Sequence, residues 1–291
     1  MTTNNTTGES IKRKEDLRFI TGAGRYTDDV SLARQTYAYF VRSPYAHARI
    51  LSVDTNGALQ SPGVITVLTG QDYTDAGLGM LGCGWMIHSK DGTPMKMGER
   101  PALARDRVRY VGDHVAVVIA ETRQQAKDGA EKVLVDYDDL PAVVDVSMAQ
   151  AVDAPQLHDI ASNNTIFAWE LGDVEAVDKA FEQAAHKVSL DFTNNRLIPN
   201  AMEPRATNAT YEPSTERLTV YLSSQNPHGM RMMLSAAIGL APEHKLRVIS
   251  EDVGGGFGSK AFNYPEEIVC AWAAKTLARP VKWTAERSEA F

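Results

Sequence analysis

Cysteine is scarce in this chain, which has 291 residues and only two cysteines. Cys83 and Cys270 do not form a Cys-x-x-Cys pair, and two cysteines are too few to hold an iron–sulfur cluster. Such low cysteine content is typical of a reducing compartment, so we expect a cytoplasmic protein. Each cysteine is expected to be a small side chain that is buried or half-buried.

Long apolar runs and basic clusters are also missing. The first ten residues are polar, and no run of about 18 apolar residues follows, so we expect neither a secretory signal nor a membrane span. The 30 Lys and Arg residues are outnumbered by 37 Asp and Glu residues, which gives a net charge of −7. Without a dense basic block, nucleic-acid binding is not expected.

Two common patterns of catalytic and metal sites are absent as well. The seven histidines form no His-x-His or His-x₃-His pair, so a zinc site made by the protein is not expected and no metal-ligating residue is predicted. No Gly-x-Ser-x-Gly elbow occurs, which argues against one class of serine hydrolase.

Glycine, by contrast, is concentrated at residues 253–260, which read Val-Gly-Gly-Gly-Phe-Gly-Ser-Lys after a strand-like run at 245–249. Successive N–H groups in such a loop can form a concave nest for electron-rich atoms. The dinucleotide fingerprint fails because Ser259 stands where it needs Gly or Ala, and the P-loop fails because Ala261 follows Lys260. Considered alone, the loop fits a plain strand-to-helix turn equally well.

Short strands and helices alternate along the chain, which predicts an α+β fold. The first unit, with its polar N-terminal tail, covers residues 1–150, and 151–165 form a linker that contains Pro and Asn. The second unit covers residues 166–291. In the first unit, strands are predicted at 37–41, 50–53, 64–68, 115–120 and 133–137, with a helix over 123–132 that Thr122 caps.

The second unit begins with a helix from Asp173 to Ala185, whose apolar stripe includes Val177 and Phe181. Three methionines, Met230, Met232 and Met233, are expected to fill core space. The remaining predicted elements are a strand at 187–192, a hairpin over 207–223, a helix over 227–239, a strand at 245–249, a helix over 265–277 and a strand at 281–284.

Two polar clusters precede the glycine loop, and each follows a β-like run. Residues 200–206 contain Met-Glu-Pro-Arg, and residues 223–228 read Ser-Ser-Gln-Asn-Pro-His. In order and spacing, the clusters and the loop resemble the large, molybdenum-cofactor-binding subunit of the xanthine dehydrogenase and aldehyde oxidase family, and the nearest branch is the bacterial aerobic carbon monoxide dehydrogenase-like large chains. Further similar segments lie at 21–29, 42–48 and 283–289.

This resemblance covers nearly the whole chain. It implies a small α/β hammerhead domain followed by the first part of a molybdopterin-binding domain. One departure is that Gln225 and Phe257 are one residue further apart than in the xanthine oxidase branch. Since the family's large subunits continue well past Phe291, this chain is expected to be an N-terminal fragment with no turnover of its own.

The resemblance also implies site residues. Gln225 matches the glutamine that hydrogen-bonds the apical oxo group on molybdenum, and the segment Gly255, Gly256, Phe257, Gly258 matches the one that meets the pterin. The residues themselves leave another interpretation of Gln225 open, a cap for the helix near Pro227. Glu203 and Arg205 are expected to form a structural charge pair around Pro204.

The implied function is a molybdenum hydroxylase that oxidises CO, an aldehyde or an N-heterocycle with water as the oxygen source. Electrons would pass to an iron–sulfur small subunit and an FAD medium subunit in a dimer of heterotrimers. The implied cofactor is the molybdopterin cytosine dinucleotide form, with copper only in the carbon monoxide branch. The catalytic glutamate base would lie beyond Phe291. The alternative is a non-catalytic binding or assembly module that kept the fold.

Overall fold

The computed structural model describes Gly8 and residues 10–290. The α-helices within these residues are α1 (Asp16–Ile20), α2 (Asn56–Leu59), α3 (Gly70–Asp75), α4 (Arg123–Ala130), α5 (Val174–Gln183), α6 (Pro227–Met232) and α7 (Pro265–Leu277). The strands are β1 (Thr36–Arg42), β2 (Ala48–Asp54), β3 (Val64–Thr69), β4 (Arg107–Val108), β5 (His114–Ala120), β6 (Leu134–Asp139), β7 (Ala206–Glu212), β8 (Arg217–Leu222), β9 (Leu246–Ile249) and β10 (Val281–Thr284).

A seven-stranded sheet in the order β3-β5-β1-β10-β7-β8-β9 forms the frame of the molecule. Its neighbours are antiparallel except for β1 with β10 and β8 with β9, which are parallel. A second sheet of three strands has the order β4-β2-β6. The fold is therefore α+β, as predicted.

The five strands and the one helix predicted in the first unit are all present, although α1, α2, α3 and β4 were not predicted. The apolar run of β5 is buried along its whole length, because β3 and β1 flank it and apolar side chains cover both of its faces. Thr122 caps α4, and its Oγ1 accepts a hydrogen bond of 3.2 Å from the Gln125 N–H.

Part of the second unit also follows its sequence signals. The predicted hairpin is β7 with β8, and α7 begins at Pro265, a residue that suits the first turn of a helix. Most of α7 is buried against β7 and β10. Met230 lies in the same core, whereas Met232 is exposed and Met233 is partly buried. The core-filling role predicted for Met232 is therefore wrong.

The predicted strand at 187–192 is not formed, since this stretch has no hydrogen-bonded neighbour among the described residues. Alternating apolar residues indicate one apolar face, but a strand also needs a partner. Helix α5 is capped by Asp173 as predicted but ends at Gln183. Its apolar stripe, including Val177 and Phe181, is exposed instead of packed.

Two further comparisons with the sequence concern cysteine and the linker. Cys270 is buried as expected, but Cys83 is exposed, so the prediction for Cys83 is wrong. Strands from both sides of residues 151–165 share the large sheet, where Thr36 of β1 lies beside Val281 of β10. The division into two units at this linker stays a prediction. None of the described helices is long and apolar enough to cross a membrane.

Candidate functional site

The glycine loop follows β9 and ends in a 3₁₀ turn at Ser259–Ala261. Gly255 has φ +99° and Gly258 has φ +91°, both in the left-handed region that favours glycine. Phe257 also has a positive φ of 50°, which is unusual for an aromatic residue, and its ring is exposed. The loop thus places an aromatic ring at the surface in a strained backbone conformation.

The backbone of this loop presents donors. Among the hydrogen bonds of the described residues, none is donated by the N–H groups of Gly255, Gly256 or Phe257. The flanking N–H groups of Gly254 and Gly258 are both satisfied. Consecutive free donors in a backbone with alternating φ form a nest for an electron-rich ligand atom.

Gln225 lies against the loop in one defined orientation. The Gly258 N–H donates to Gln225 Oε1 at 3.0 Å, and the Gln225 N–H donates to the Lys260 carbonyl at 2.9 Å. Because a backbone N–H can only donate, the carbonyl end of the carboxamide must face the loop. Its NH₂ end donates no hydrogen bond within the described part of the chain and is the end offered to a ligand.

Gly256 is required by this contact. A Cβ at that position would lie 2.4 Å from Gln225 Oε1, which is closer than side chains approach. The other interpretation of Gln225, as a helix cap, is wrong. Asn226 caps α6, with its Oδ1 accepting from the Gly229 N–H at 2.9 Å. The structure therefore brings together all five residues predicted for the site, Gln225 with 255–258.

Glu203 and Arg205 do not form the expected pair with each other. The Lys260 ammonium donates to Glu203 Oε2 at 2.9 Å, whereas Arg205 makes two hydrogen bonds to Glu266, at 3.0 and 3.1 Å. Lys260 and Glu266 were missed because neither forms a motif with its partner in sequence.

The Glu266 carboxylate is fully buried among two arginines and a histidine, Arg42, Arg205 and His114. Arg42 donates to it at 2.9 Å, and the His114 ring lies 3.1 Å from the same oxygen. Burial alone would raise the pKa of Glu266, but His114, Arg205 and Arg42 outweigh it and keep this pKa well below its usual range. This cluster links β1 and β5 to α7 and to the segment that leads into β7.

Two cavities border the loop region. One of about 240 Å³ is lined on its polar side by Glu203, Arg205, Lys260, Tyr264 and Arg287. The other, of about 610 Å³, includes Asn226, Ala261 and Phe262. Gln225 and Phe257 line neither cavity, but both side chains are exposed.

No cluster of three or more His, Cys, Asp or Glu side chains that could hold a metal ion occurs in the part of the chain that the structure describes. A pterin cofactor that binds its metal through its own sulfur atoms needs hydrogen-bond donors from the protein and not metal ligands. The free N–H groups of 255–257 and the NH₂ group of Gln225 are such donors. The residues present therefore fit this kind of cofactor.

Two family models match this chain. The family model "Aldehyde oxidase and xanthine dehydrogenase, a/b hammerhead domain" matches residues 21–141. The family model "Molybdopterin cofactor-binding domain" matches residues 157–291. The two matched segments make up most of the chain.

Individual curated proteins are also similar to this chain in sequence. The chain is 38% identical over 289 residues to the carbon monoxide dehydrogenase large chain of Hydrogenophaga pseudoflava, a match that covers 95% of this chain and 34% of the relative. It is 37% identical over 296 residues to the nicotine 6-hydroxylase large subunit of Paenarthrobacter nicotinovorans, covering 99% and 34%. The chain thus spans about a third of the length of these relatives.

Solved structures agree with the fold. Reconstituted CO dehydrogenase from Oligotropha carboxidovorans superposes with a TM-score of 0.85 at 37% identity, covering 97% of this chain and 35% of that chain. Quinoline 2-oxidoreductase from Pseudomonas putida 86 gives a TM-score of 0.81 at 34% identity, covering 96% and 34%.

The fold is that of a hammerhead domain followed by a molybdopterin cofactor-binding domain. The chain belongs to the xanthine dehydrogenase and aldehyde oxidase family of molybdenum-cofactor-binding large subunits, with carbon monoxide dehydrogenase large chains among its relatives. The resemblance seen in the sequence motifs is confirmed.

Proposed function

We propose that this chain is part of the large subunit of a molybdenum hydroxylase that oxidises CO, an aldehyde or an N-heterocycle. The oxidation removes two electrons from the substrate, takes an oxygen atom from water and releases two protons overall. The observation that carries the proposal is the arrangement of Gln225 beside the glycine loop, with donors free on both. When bound, the molybdopterin cofactor supplies the two-electron redox chemistry.

Gln225 is proposed to bind an oxo-type oxygen of the cofactor. Its carbonyl end is engaged by the Gly258 N–H, so the NH₂ end is fixed in direction before any ligand arrives. A carboxamide donates without bringing a charge, which suits an oxygen whose electron density changes during oxidation. Donors that are oriented in advance stabilise developing charge without reorganising.

The loop is proposed to bind the pterin side of the cofactor through the N–H groups of Gly255, Gly256 and Phe257. A side chain at 256 would displace Gln225, and one at 258 would be strained at φ +91°. The exposed Phe257 ring would exclude water from the substrate channel.

Partners and cofactor form are part of the same proposal. Two relatives are named as a large chain and a large subunit, which supports an assembly with further subunits. We propose an iron–sulfur small subunit and an FAD medium subunit, in a dimer of heterotrimers in the cytoplasm. Two cysteines in this chain leave cluster binding to a partner. The proposed cofactor is molybdopterin cytosine dinucleotide, with copper only if the enzyme oxidises CO.

Sequence identity does not favour one substrate, since relatives named for carbon monoxide and for nicotine match this chain at 38% and 37% identity. The proposed substrate class therefore stays CO, an aldehyde or an N-heterocycle.

The test is molybdenum loading of Gly258→Val in the assembled enzyme. Gly112→Val is a matched control, because Gly112 and Gly258 both have φ +91° and open space around the Cβ position. Each substitution strains the backbone by roughly 1–3 kcal/mol. We expect Gly258→Val to lose most of its molybdenum while Gly112→Val keeps it, measured as metal per folded protein. Equal loading in both variants would favour the alternative, a non-catalytic binding or assembly module.

A further inference from the structure

The carboxylate of Glu203 contacts both ends of the glycine loop. The Gly254 N–H, where the glycine run begins, donates to Glu203 Oε2 at 2.7 Å. The Lys260 ammonium, just after the run ends, donates to the same oxygen at 2.9 Å. The loop between these residues is therefore closed by one side-chain oxygen that lies outside it in sequence.

This closure is reinforced by further hydrogen bonds. The Ser223 hydroxyl also donates to Glu203 Oε2, at 2.6 Å, and the Lys260 ammonium donates to the Glu203 carbonyl at 2.8 Å. A Cβ at Gly254 would lie 2.5 Å from the Glu203 Cβ, so the approach of Glu203 itself requires glycine there. The contact is thus specified by both partners.

Lys260 connects the closure to Gln225. Its carbonyl accepts from the Gln225 N–H at 2.9 Å and from the Ser224 hydroxyl at 3.1 Å. Through its backbone Lys260 therefore fixes Gln225, and through its side chain it fixes Glu203. A shift of Lys260 would move the Gln225 carboxamide and the start of the loop together.

The Glu203–Lys260 pair is nearly removed from water. The exposed fraction of the side chain is 2% for Lys260 and 11% for Glu203. Burial lowers the pKa of Lys260, and the hydrogen bond that its ammonium donates to Glu203 opposes that change. Removing one partner of such a pair leaves an uncompensated buried charge, so the two residues depend on each other.

We propose that Glu203 and Lys260 are positioning residues that set the arrangement of the N–H groups of 255–257 and of the Gln225 carboxamide. Glycine-rich backbone loses more freedom on ordering than any other, so an unrestrained loop would spread over many conformations. The pair selects the one in which the donors converge. The consequence for cofactor binding rests on the function proposed above, whereas the ordering of the loop does not.

Hydrogen–deuterium exchange of peptides that cover 253–259 tests the ordering without any cofactor. Lys260→Met should raise the exchange rate of the hydrogen-bonded N–H groups there, those of Gly254, Gly258 and Ser259, by about tenfold or more, because local opening becomes easier. Lys282→Met is the matched control. Lys282 is also a buried lysine, with 8% of its side chain exposed, and it contacts Asp28 instead of the loop. It should lower the melting temperature but leave exchange at 253–259 unchanged.

Glu203→Gln and the double variant Glu203→Gln/Lys260→Met complete the cycle. The double variant removes both charges and keeps an acceptor for the Gly254 N–H, so its loop should exchange more slowly than that of Lys260→Met alone. Wild-type exchange rates at 253–259 in Lys260→Met would overturn the proposal, as would equal loosening in Lys282→Met.

Molybdenum content of the same variants in the assembled enzyme separates this inference from the proposed function. We expect a several-fold loss in Lys260→Met and none in Lys282→Met. A loosened loop with full molybdenum content would overturn the role of the loop in cofactor binding, while the positioning of the loop by Glu203 and Lys260 would stand.

Discussion

At the scale of single residues, the orientation of the Gln225 carboxamide decides which of its groups can contact a ligand. Any exposed glutamine offers both a donor and an acceptor, but here the Gly258 N–H occupies the acceptor. The side chain therefore acts as a fixed donor. Both glycines of the loop that contact Gln225 serve this orientation. Gly256 leaves room for the carboxamide, and Gly258 supplies the N–H that orients it.

Substitution of Gln225 should separate rate from loading. In the assembled enzyme, Gln225→Ala should keep most of its molybdenum, since the loop donors remain. The turnover rate should fall by about tenfold to a thousandfold if the donor acts in the transition state. Gln225→Glu should be slower still, because a carboxylate accepts from the Gly258 N–H but has no donor and adds negative charge. Steady-state rate and metal content would be measured together.

An exposed glutamine elsewhere, Gln124 of α4, provides the control for this pair. Gln124→Ala should behave as wild type in both measurements. Normal turnover of Gln225→Ala, or a faster rate in Gln225→Glu than in Gln225→Ala, would show that Gln225 only shapes the turn before α6.

Two neighbouring glutamates of α7 should respond to pH in opposite directions. Burial raises the pKa of Glu267 to about 8, although its carboxylate accepts a hydrogen bond of 3.0 Å from the Tyr264 N–H. In the unfolded chain the same group titrates near about 4.3. The folded state therefore binds the extra proton between these values, and its stability falls as pH rises from about 4.3 towards 8.

Glu267→Gln should flatten that pH dependence. The amide mimics the protonated acid and can still accept from the Tyr264 N–H. Melting temperatures between pH 5 and pH 8 should fall less steeply in the variant than in wild type, with the largest gain for the variant at pH 8. The same slope in both proteins would contradict this assignment.

Glu266→Gln is the informative comparison. In the wild-type fold the Glu266 carboxylate keeps a low pKa. Its contribution to the free energy of unfolding is therefore present above the unfolded pKa and is lost as pH falls through the folded pKa. The variant leaves Arg42 and Arg205 without their shared charge. We expect it to be strongly destabilised at neutral pH, by roughly 3–5 kcal/mol.

At the scale of elements, local signals were enough where the structure is local. The buried run of β5, the cap of α4 and the proline that begins α7 each predicted an element that is present. The pairing of β1 with β10 was not predictable. Those strands are far apart in sequence, and no residue pattern in either strand indicates which strand it pairs with. The absent strand at 187–192 has the same cause, because alternation predicts a face but not a partner.

The site was predictable to a similar extent. The motifs around Gln225 and the glycine loop identified five residues that the fold brings together. Glu203 was assigned to the wrong partner, since adjacency to Arg205 in sequence suggested a pair. Its real partner, Lys260, lies 57 residues away in sequence, in the 3₁₀ turn at Ser259–Ala261, and only the fold brings the two side chains together.

Two helix caps with the same chemistry should have different effects on stability. Thr122 caps α4, which packs Ala126 and Ala130 into the core, whereas Asp173 caps α5, which has no buried residue. Thr122→Ala should lower the free energy of unfolding by about 1 kcal/mol. Asp173→Ala should fray α5 without changing the main transition, because α5 is not coupled to the core.

Urea denaturation followed by tryptophan fluorescence would measure both variants, with far-ultraviolet circular dichroism for local helix loss. A destabilisation by Asp173→Ala as large as that by Thr122→Ala would mean that α5 packs against the core.

At the scale of the whole molecule, one sheet and one charge cluster join the two predicted units. The parallel pair of β1 with β10 crosses from one unit to the other. Beside it, Arg42 of β1 and Arg205 both donate to Glu266. We propose that the units divide within residues 145–165, and that this division is one of sequence and not of independent folding.

Limited proteolysis with subtilisin should therefore nick the chain without separating its halves. Residues 151–165 are secured by Asn164, which binds the Leu157 N–H and the carbonyls of Ala149 and Pro155. Residues 184–200 are exposed throughout and have no regular secondary structure, so the first cut should fall there. Mass spectrometry would locate the cut. The two fragments should then elute together on gel filtration, because β1 with β10 and the Glu266 cluster still connect them. Separate elution after a cut within 184–200 would mean that the shared sheet does not hold the units together, and a first cut within 151–165 would mean that Asn164 does not order the linker.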